Sequence, residues 1–274
     1  MKKVSAYRPE MTNAGVRPTH SVSVINEKGE AKRVEIADEL PLTIMVDGYE
    51  IVTLMTLGTH PEELALGYLR NQRLITEIET IASVRVDWET ECVRVVTKDG
   101  KGGQLQEKLT KRTVTTGCGQ GTVFSCTIDG LYETRLSPMT LRQSQVTRLM
   151  KSLAHYNQIY RAAGAVHGCA LCSTQAVDIF VEDVGRHNAA DTIAGRMWLD
   201  RISGRDKILY STGRLTSEIV MKAASMEIPA LISRSGITYM GLTLSQDLGM
   251  IMIARFKGRK FFIYNGQEHF IHDL

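Results

Sequence analysis

The sequence predicts an α/β fold, α+β over the whole chain, with a smaller β-rich N-terminal part and a larger C-terminal part. Short alternating apolar segments separated by glycine-containing turns occupy residues 19 to 98. From residue 176 onward, strand patterns alternate with helix patterns, as in a sheet covered by helices. Between the two parts lies a polar, glycine-rich stretch around Cys118.

The composition predicts a globular protein and argues against nucleic-acid-binding and membrane classes. The chain has 274 residues and 43% hydrophobic content, enough for one large or two ordinary domains. Its net charge of +3 is too small to predict a nucleic-acid or membrane-surface partner. No apolar run is long enough to span a bilayer, and the first residues lack the apolar core of a signal peptide. Five cysteines, an odd number, are typical of a reducing compartment, so a cytoplasmic location is expected.

The N-terminal half begins as antiparallel sheet. Residues 1–18 are polar and predict a flexible arm, and residues 19–114 predict a β-rich α+β domain. Asp47-Gly48 is a strong hairpin signal between two alternating segments. Thr59-His60-Pro61-Glu62 has the spacing of a capping box and predicts a helix that ends near Asn71. Two further strands follow, over residues 83–88 and 91–98.

Residues 115–136 predict a linker that carries a reactive cysteine. The glycines beside Cys118 leave its thiol accessible, and the basic run just before it would favour the thiolate. An incidental cysteine in a flexible loop explains this stretch about as well. Cys126, eight residues further on, is either a second thiol or a packed hydrophobic residue, and the second interpretation is the more common.

The C-terminal domain is predicted over residues 137–274. A helix opens near residues 137–140 and ends near Gly164. Strands at 176–181, 207–211, 229–233 and 250–255 alternate with helices at 188–199, 216–226 and 237–248, which predicts a largely parallel sheet with helices on its faces.

Cationic turns follow three of these strands, at the edge where ligands bind to such sheets. Arg214 and Arg234 lie in two of the turns, beside glycine and hydroxyl residues. The third turn contains four basic residues among its six, which are Arg255, Phe256, Lys257, Gly258, Arg259 and Lys260. This edge suits a phosphate-bearing ligand. Taken alone, the last turn is more commonly a solvated basic hairpin, but three such turns at one edge favour anion binding.

Two further clusters are candidate sites. His167, Cys169 and Cys172 would resemble a catalytic zinc site if this stretch were helical. The glutamate that zinc deaminases need is missing here, so a reduced, metal-free Cys-x-x-Cys is the favoured interpretation. Arg186 and His187 lie in the turn before the helix predicted at 188–199. The favoured interpretation is that they bind an anion or position a thiolate; the alternative is a capping network in which Asp183 or Asn188 satisfies helix amides.

The chain resembles the FdhD family in four segments. They are Gly117-Cys118-Gly119, the run EDVGRHNAAD at residues 182–191, STGRLTSE at residues 211–218, and the basic ending at residues 255–264. The resemblance extends from about Pro41 to Tyr264, and the residues 182–191 carry most of its specificity.

The resemblance implies a sulfur carrier needed for formate dehydrogenase activity. Cys118 would take persulfide sulfur from a cysteine desulfurase and pass it to the molybdenum cofactor, bis-molybdopterin guanine dinucleotide. Residues 255–260 would bind that cofactor, a site that GDP or a related guanine nucleotide could also occupy. The family's C-terminal domain is cytidine-deaminase-like, with three α/β layers, and its members are dimeric. Many members have Cys-x-x-Cys around this cysteine, whereas Gly121 replaces the second cysteine here.

Three functions from different classes therefore remain open. A sulfurtransferase predicts a persulfide on Cys118 and binding of guanine nucleotides. A non-catalytic cofactor chaperone would bind the cofactor and formate dehydrogenase but tolerate loss of Cys118. A zinc hydrolase predicts a metal ion that depends on Cys169 or Cys172.

Overall fold

This computed structural model describes residues 7–100, 102, 113–114, 121–122 and 136–274. Within these residues, two large β-sheets with their helices are accompanied by three two-stranded pairs. The N-terminal strands are β1 (Glu10–Met11), β2 (Thr19–Ile25), β3 (Ala31–Ala37), β4 (Leu40–Val46), β5 (Tyr49–Thr56), β6 (Ile81–Asp87) and β7 (Cys92–Thr97). Five of them form a sheet in the order β1-β6-β7-β4-β5, and β2 and β3 form a separate hairpin.

The hairpin predicted at Asp47-Gly48 is confirmed. These two residues join β4 to β5, and both have positive φ, 49° and 85°. Such a pair of dihedrals is typical of the two-residue turn whose twist matches that of the flanking strands.

Residues 7–18 pack against the first sheet instead of forming the flexible arm predicted for residues 1–18. β1 pairs with β6 in parallel, and the indole of Trp88 donates to the Ala14 carbonyl at 2.6 Å. The polar composition predicted a loose arm because it reveals neither a short edge strand nor a partner distant in sequence.

Helix α1 (Pro61–Asn71) follows β5 and begins with proline as predicted, but the capping box is wrong. His60 occupies the N-cap position, and no side chain caps the helix there. Glu62 is turned instead toward the N-terminal segment, where its carboxylate accepts from the Thr12 hydroxyl at 2.6 Å and the Ala14 amide at 2.9 Å.

The C-terminal half is built on a six-stranded sheet. Before it, β8 (Thr113–Val114) pairs with β9 (Gly121–Thr122). The elements that follow are β10 (Leu141–Arg142), α2 (Gln143–Leu153), α3 (Gln158–Ala163), β11 (His167–Cys172), β12 (Val177–Asp183), α4 (Arg186–Leu199), β13 (Ile208–Ser211), α5 (Ser217–Ser225), β14 (Ala230–Ser233), α6 (Tyr239–Asp247), β15 (Ile251–Lys257), β16 (Lys260–Asn265) and β17 (Phe270–Ile271).

The prediction of a largely parallel sheet is wrong, because the sheet is mixed. Its strand order is β12-β11-β13-β14-β15-β16, and only the β13–β14 and β14–β15 pairs are parallel. The sequence pattern missed β11, which pairs antiparallel with both β12 and β13. Gly168 and Ala170 in this strand carry little of the apolar alternation on which the prediction depended.

Helices cover both faces of this sheet and make three layers. Cys169 and Leu171 of β11 belong to the core beneath α4, α5 and α6. Ala170 and Cys172, on the opposite face, belong to the core beneath α2. The alternation along one buried strand therefore follows the two-residue period of a strand covered on both sides. Among the described residues, no helix is both long and apolar enough to cross a membrane.

A close crossing of α1 and α4 joins the two halves. A Cβ atom on Gly67 would lie 1.7 Å from the carbonyl oxygen of Asp191, and one on Gly195 would lie 1.9 Å from that of Glu63. The two backbones are thus in direct contact, and glycine is the residue that permits this approach. Trp198 of α4 also enters the core that α1 forms with the first sheet.

We predict that Gly195→Ala lowers the free energy of unfolding by about 3 kcal/mol or more, because the added methyl group must force the two helix backbones apart. In an unconstrained helix the same change would stabilise by roughly 1 kcal/mol. Urea unfolding measures the difference, with Ser152→Ala on the exposed side of α2 as a control that should change stability little. A neutral or stabilising Gly195→Ala would contradict the close crossing.

Candidate functional site

A cleft opens beyond the carboxyl ends of β13, β14 and β15, where the sequence predicted a ligand site. It consists of two adjoining cavities that share Asn157, Arg234 and Lys257. The first has a volume of about 360 Å³ and the second about 420 Å³. The first is also lined by Tyr160, Val166, His167, Gly168, Thr212 and Ser235, and the second by Met150, Lys151, Ala154, Tyr210, Phe256 and Gly258.

The cleft is cationic. Arg234, Lys257 and Lys151 are exposed along it, and none of the described residues that line it is acidic. Burial raises the pKa of the Tyr210 hydroxyl to about 12, although the positive charge of nearby Arg234 opposes the rise. That hydroxyl therefore stays protonated, and the cleft offers positive charge without a competing carboxylate. Such a surface favours an anionic ligand.

His167 lies at the rim of the cleft, at the start of β11. Its Nδ1 is 3.3 Å from the Thr212 hydroxyl, which also accepts from the Gly168 amide at 3.1 Å. Partial burial lowers the pKa of His167, and the nearby positive charges of Arg186 and Arg214 lower it further. The imidazole is therefore neutral at neutral pH, able to donate one hydrogen bond and accept another.

The six residues predicted to bind the cofactor do not all face the cleft. Phe256, Lys257 and Gly258 line it. Arg259 lines a separate cavity beside α2. Arg255, which has a positive φ of 56°, places its guanidinium 5.7 Å from the ring centroid of Phe262. The exposed Lys260 pairs with Lys257 across the turn.

Arg186 and His187, predicted as pocket residues, are buried at the start of α4 and do not line the cleft. A Cβ atom on Gly213 would lie 2.4 Å from Cδ of Arg186, so the glycine after β13 makes room for the arginine stem. His187 places its Nδ1 3.0 Å from a carboxylate oxygen of Glu218. Burial lowers the pKa of His187 despite this carboxylate, so the ring is held neutral. Arg214, another predicted pocket residue, is exposed beside the cleft.

A buried polar chain continues from His187 to the N-terminal half. Lys222 of α5 lies 3.8 Å from Glu218 and 2.7 Å from the carboxylate of Asp191 on α4. Asn71 of α1 donates to the same carboxylate at 2.7 Å. Burial raises the pKa of Asp191, and the Lys222 ammonium opposes that change. This chain ties α1, α4 and α5 together on the face of the sheet opposite to α2.

The acidic residues of the 182–191 run hold the architecture around the cleft. Both carboxylate oxygens of Glu182 accept amides at the start of α3, each at 2.9 Å, and so fix the helix that carries Tyr160. Asp183 accepts from the Thr56 hydroxyl at 2.5 Å and from the Asn188 amide at 2.9 Å. The capping alternative for Asp183 or Asn188 does not hold, because no side chain caps the start of α4. Asp183 accepts from the Gly185 amide that precedes the helix, at 3.1 Å, and also joins the N-terminal half to α4.

The Cys-x-x-Cys stretch is a strand, not a helix. Cys169 and Cys172 lie on opposite faces of β11 and cannot share one metal ion. Burial raises the pKa of the Cys169 thiol to about 12, so this thiol is unreactive at neutral pH. Within the part of the chain that is described, no group of three or more His, Cys, Asp or Glu residues is placed to hold a metal ion.

Sequence reasoning missed the wall of the cleft formed by α2 and α3. Asn157, Tyr160 and Lys151 line it, but the pattern from residue 140 to Gly164 was interpreted as one helix. The structure ends α2 at Leu153 and begins α3 at Gln158. The Asn157 that precedes α3 is a residue type favoured at helix starts and was the available signal.

Cys118 and Cys126, predicted as reactive and accompanying thiols, lie outside the described residues. Val114 of β8 pairs with Gly121 of β9 in antiparallel register. Cys118 belongs to the six residues, 115–120, that connect these two strands in sequence.

The protein is thus an α/β protein with a mixed sheet covered by helices on both faces and a cationic cleft at the strand ends. Packed helices join this sheet to a smaller β-rich unit. The FdhD/NarQ family model matches residues 37–271, and the chain belongs to that family. It is 33% identical to the sulfur carrier protein FdhD of Bacillus pumilus, over 86% of this chain and 90% of the relative. It is 32% identical to the protein of the same name from Staphylococcus aureus, over 85% and 88% of the two chains.

A solved structure supports the same assignment. The chain superposes with a TM-score of 0.73 and 25% identity on a crystal structure from Desulfotalea psychrophila that is assigned as a formate dehydrogenase accessory protein. The match covers 92% of this chain and 98% of that one.

We predict that acidification destabilises the wild-type protein relative to His187→Gln. Because the pKa of His187 is lowered in the fold, the unfolded chain binds an extra proton as the pH falls below the ordinary value of 6.5. The free energy of unfolding should therefore fall relative to that of the variant, by at most about 1.4 kcal/mol per pH unit. Urea unfolding of both proteins between neutral and mildly acidic pH measures this difference. The buried carboxylates Asp183 and Asp191 titrate in both proteins, so their contribution to the pH dependence cancels when the two are compared. Parallel pH profiles would contradict the neutral, buried imidazole.

Proposed function

We propose that this chain is a sulfur carrier, in which Cys118 accepts persulfide sulfur from a cysteine desulfurase and passes it to the molybdenum cofactor needed by formate dehydrogenase. The observation that carries the proposal is the acid-free cationic cleft in a chain whose relatives are named sulfur carriers. In this proposal the cleft binds the cofactor, and Cys118 carries the sulfur as a persulfide.

Loading needs only thiolate chemistry. The thiolate of Cys118 attacks the outer sulfur of the desulfurase persulfide, and the desulfurase cysteine leaves as a thiolate. One sulfur–sulfur bond forms as another breaks, so no external oxidant or reductant takes part. A single persulfide is sufficient, which agrees with Gly121 standing where many family members have a second cysteine. Cys126 is not required by this mechanism.

The cleft suits bis-molybdopterin guanine dinucleotide as a bound substrate. Exposed Arg234 and Lys257 offer charge-assisted hydrogen bonds to phosphate oxygens. Met150, Tyr210 and the buried Phe256 form a more apolar wall against which a heteroaromatic ring can pack. Neutral His167 adds a donor and an acceptor at the rim. GDP or a related guanine nucleotide should occupy the same cleft.

A structural part of the proposal is that the C-terminal domain is cytidine-deaminase-like, as the family resemblance implies. Helices on both faces of the six-stranded sheet support it. We also propose a homodimer that works with a cysteine desulfurase and formate dehydrogenase in the reducing cytoplasm, where a free persulfide-bearing thiol persists.

The alternative that the cleft also supports is a non-catalytic cofactor chaperone, because binding the cofactor does not by itself need Cys118. A zinc hydrolase has no such support, since β11 separates Cys169 from Cys172.

We predict that the wild-type protein gains one sulfur atom when it is incubated with a cysteine desulfurase and cysteine, and that Cys118→Ala does not. Mass spectrometry of the intact protein measures the gain, and reduction should remove it. Cys92→Ala, at a half-buried position of the first sheet, is the matched control and should load like the wild type. Equal loading of Cys118→Ala would move the persulfide to another cysteine, and no loading of any variant by an active desulfurase would favour the chaperone.

A further inference from the structure

A third cavity, of about 690 Å³, lies between α2 and the turn that joins β15 to β16. We call it the α2 pocket. It is lined by Gln143, Ser144, Thr147, Arg148, Lys151, Ser152, Arg259 and Leu274. Three of these residues are cationic, and most of the others carry hydroxyl or amide groups, so the lining is more polar than the wall of the cleft.

The cations of the α2 pocket come from two separate elements. Arg148 and Lys151 lie three positions apart on α2, which places them on one face of the helix. Arg259 reaches the same cavity from the β15–β16 turn. All three are exposed, and within the described residues no ion pair joins any of them to an acid. Their charge is therefore available to a ligand.

The Asp273 carboxylate, which lies near this pocket, is already engaged. Asp273 accepts from both the amide and the hydroxyl of Ser144, each at 2.8 Å, at the start of α2. It also lies 3.9 Å from Arg142. Asp273 thus satisfies the helix start, so the capacity of the α2 pocket for an anion rests on the side chains of Arg148, Lys151 and Arg259.

The α2 pocket adjoins the cleft. Lys151 lines both, and Phe256, Lys257 and Gly258, which line the cleft, lead directly to Arg259. One ligand can therefore contact both cavities, with its ring system against the apolar wall of the cleft and a phosphate on the far side of Lys151.

We propose that the α2 pocket binds the distal phosphate of a nucleoside diphosphate whose remaining part lies in the cleft, with Arg148, Lys151 and Arg259 as its ligands. Guanidinium groups match phosphate oxygens in pairs, and a lysine adds a point charge. The inference rests on the proposed function, because the ligand is the diphosphate portion of the guanine dinucleotide cofactor, and it adds α2 to the residues that recognise it.

The test compares GDP with GMP, which lacks the distal phosphate. Wild-type protein should bind GDP more tightly than GMP. The variant Arg148→Ala/Arg259→Ala changes two residues that line the α2 pocket and not the cleft, so it should weaken GDP binding by about tenfold or more while changing GMP binding little. The preference for GDP should therefore disappear in the double variant. Titration calorimetry measures the affinities, and circular dichroism with thermal unfolding checks that each variant is folded.

The matched control is Lys32→Ala/Arg33→Ala, which likewise removes two positive charges, from the exposed β3 strand of the separate hairpin. It should retain the preference for GDP. Pyrophosphate is a second probe. If pyrophosphate displaces GDP from the wild type only at a much higher concentration, the site recognises a nucleotide. If pyrophosphate binds as tightly as GDP, the assignment to a nucleotide is overturned in favour of a free-anion site.

The outcomes separate the two proposals. Absence of any guanine-nucleotide binding by the wild type would count against the proposed function itself. If Arg148→Ala/Arg259→Ala binds GDP tightly and keeps the preference over GMP, only the role of the α2 pocket is overturned. Equal weakening of GMP and GDP would also overturn it, because the two side chains would then contact a part that both nucleotides share.

Discussion

The contact between the backbones of α1 and α4 at Gly67 and Gly195 is the constraint on which the rest of the structure depends. α4 is buried along almost its whole length, with α1 on one side and the six-stranded sheet on the other. The N-terminal sheet, α1, α4, the second sheet and α2 therefore form one continuous stack. Displacing either helix would move the start of α4, where the stem of Arg186 packs against Gly213, next to Thr212 of the cleft.

Buried polar contacts make this stack specific as well as close. Asp183 joins the end of β5 to the start of α4, and the chain from His187 through Lys222 and Asp191 reaches α1. Breaking one partner of a buried ion pair is costly because a charge remains without compensation. Residues 182–191, which carry most of the resemblance to the family, therefore serve largely to hold the elements around the cleft in place. The charges that face a ligand come instead from the turn after β14, the end of β15 and α2.

The sequence predicted the features that depend on local chemistry or on general rules of α/β sheets. Asp47-Gly48 defined its hairpin because few residue pairs adopt two positive φ angles. The position of the cleft was predicted because carboxyl ends of neighbouring parallel strands share an edge, and this holds for β13 to β15 even in a mixed sheet. The small residues of β11, the break between α2 and α3, and the burial of Arg186 and His187 could not be predicted, because each depends on partners distant in sequence.

Delivery of sulfur from Cys118 to a cofactor bound in the cleft is the central claim, and a transfer experiment tests it most directly. Protein loaded with radiolabelled persulfide would be mixed with bis-molybdopterin guanine dinucleotide and apo formate dehydrogenase, in parallel with an equally loaded Arg234→Ala/Lys257→Ala variant. The account predicts that label leaves the wild type for the cofactor and remains on Cys118 in the variant. Equal transfer from both proteins would contradict the cleft as the place where the cofactor receives its sulfur.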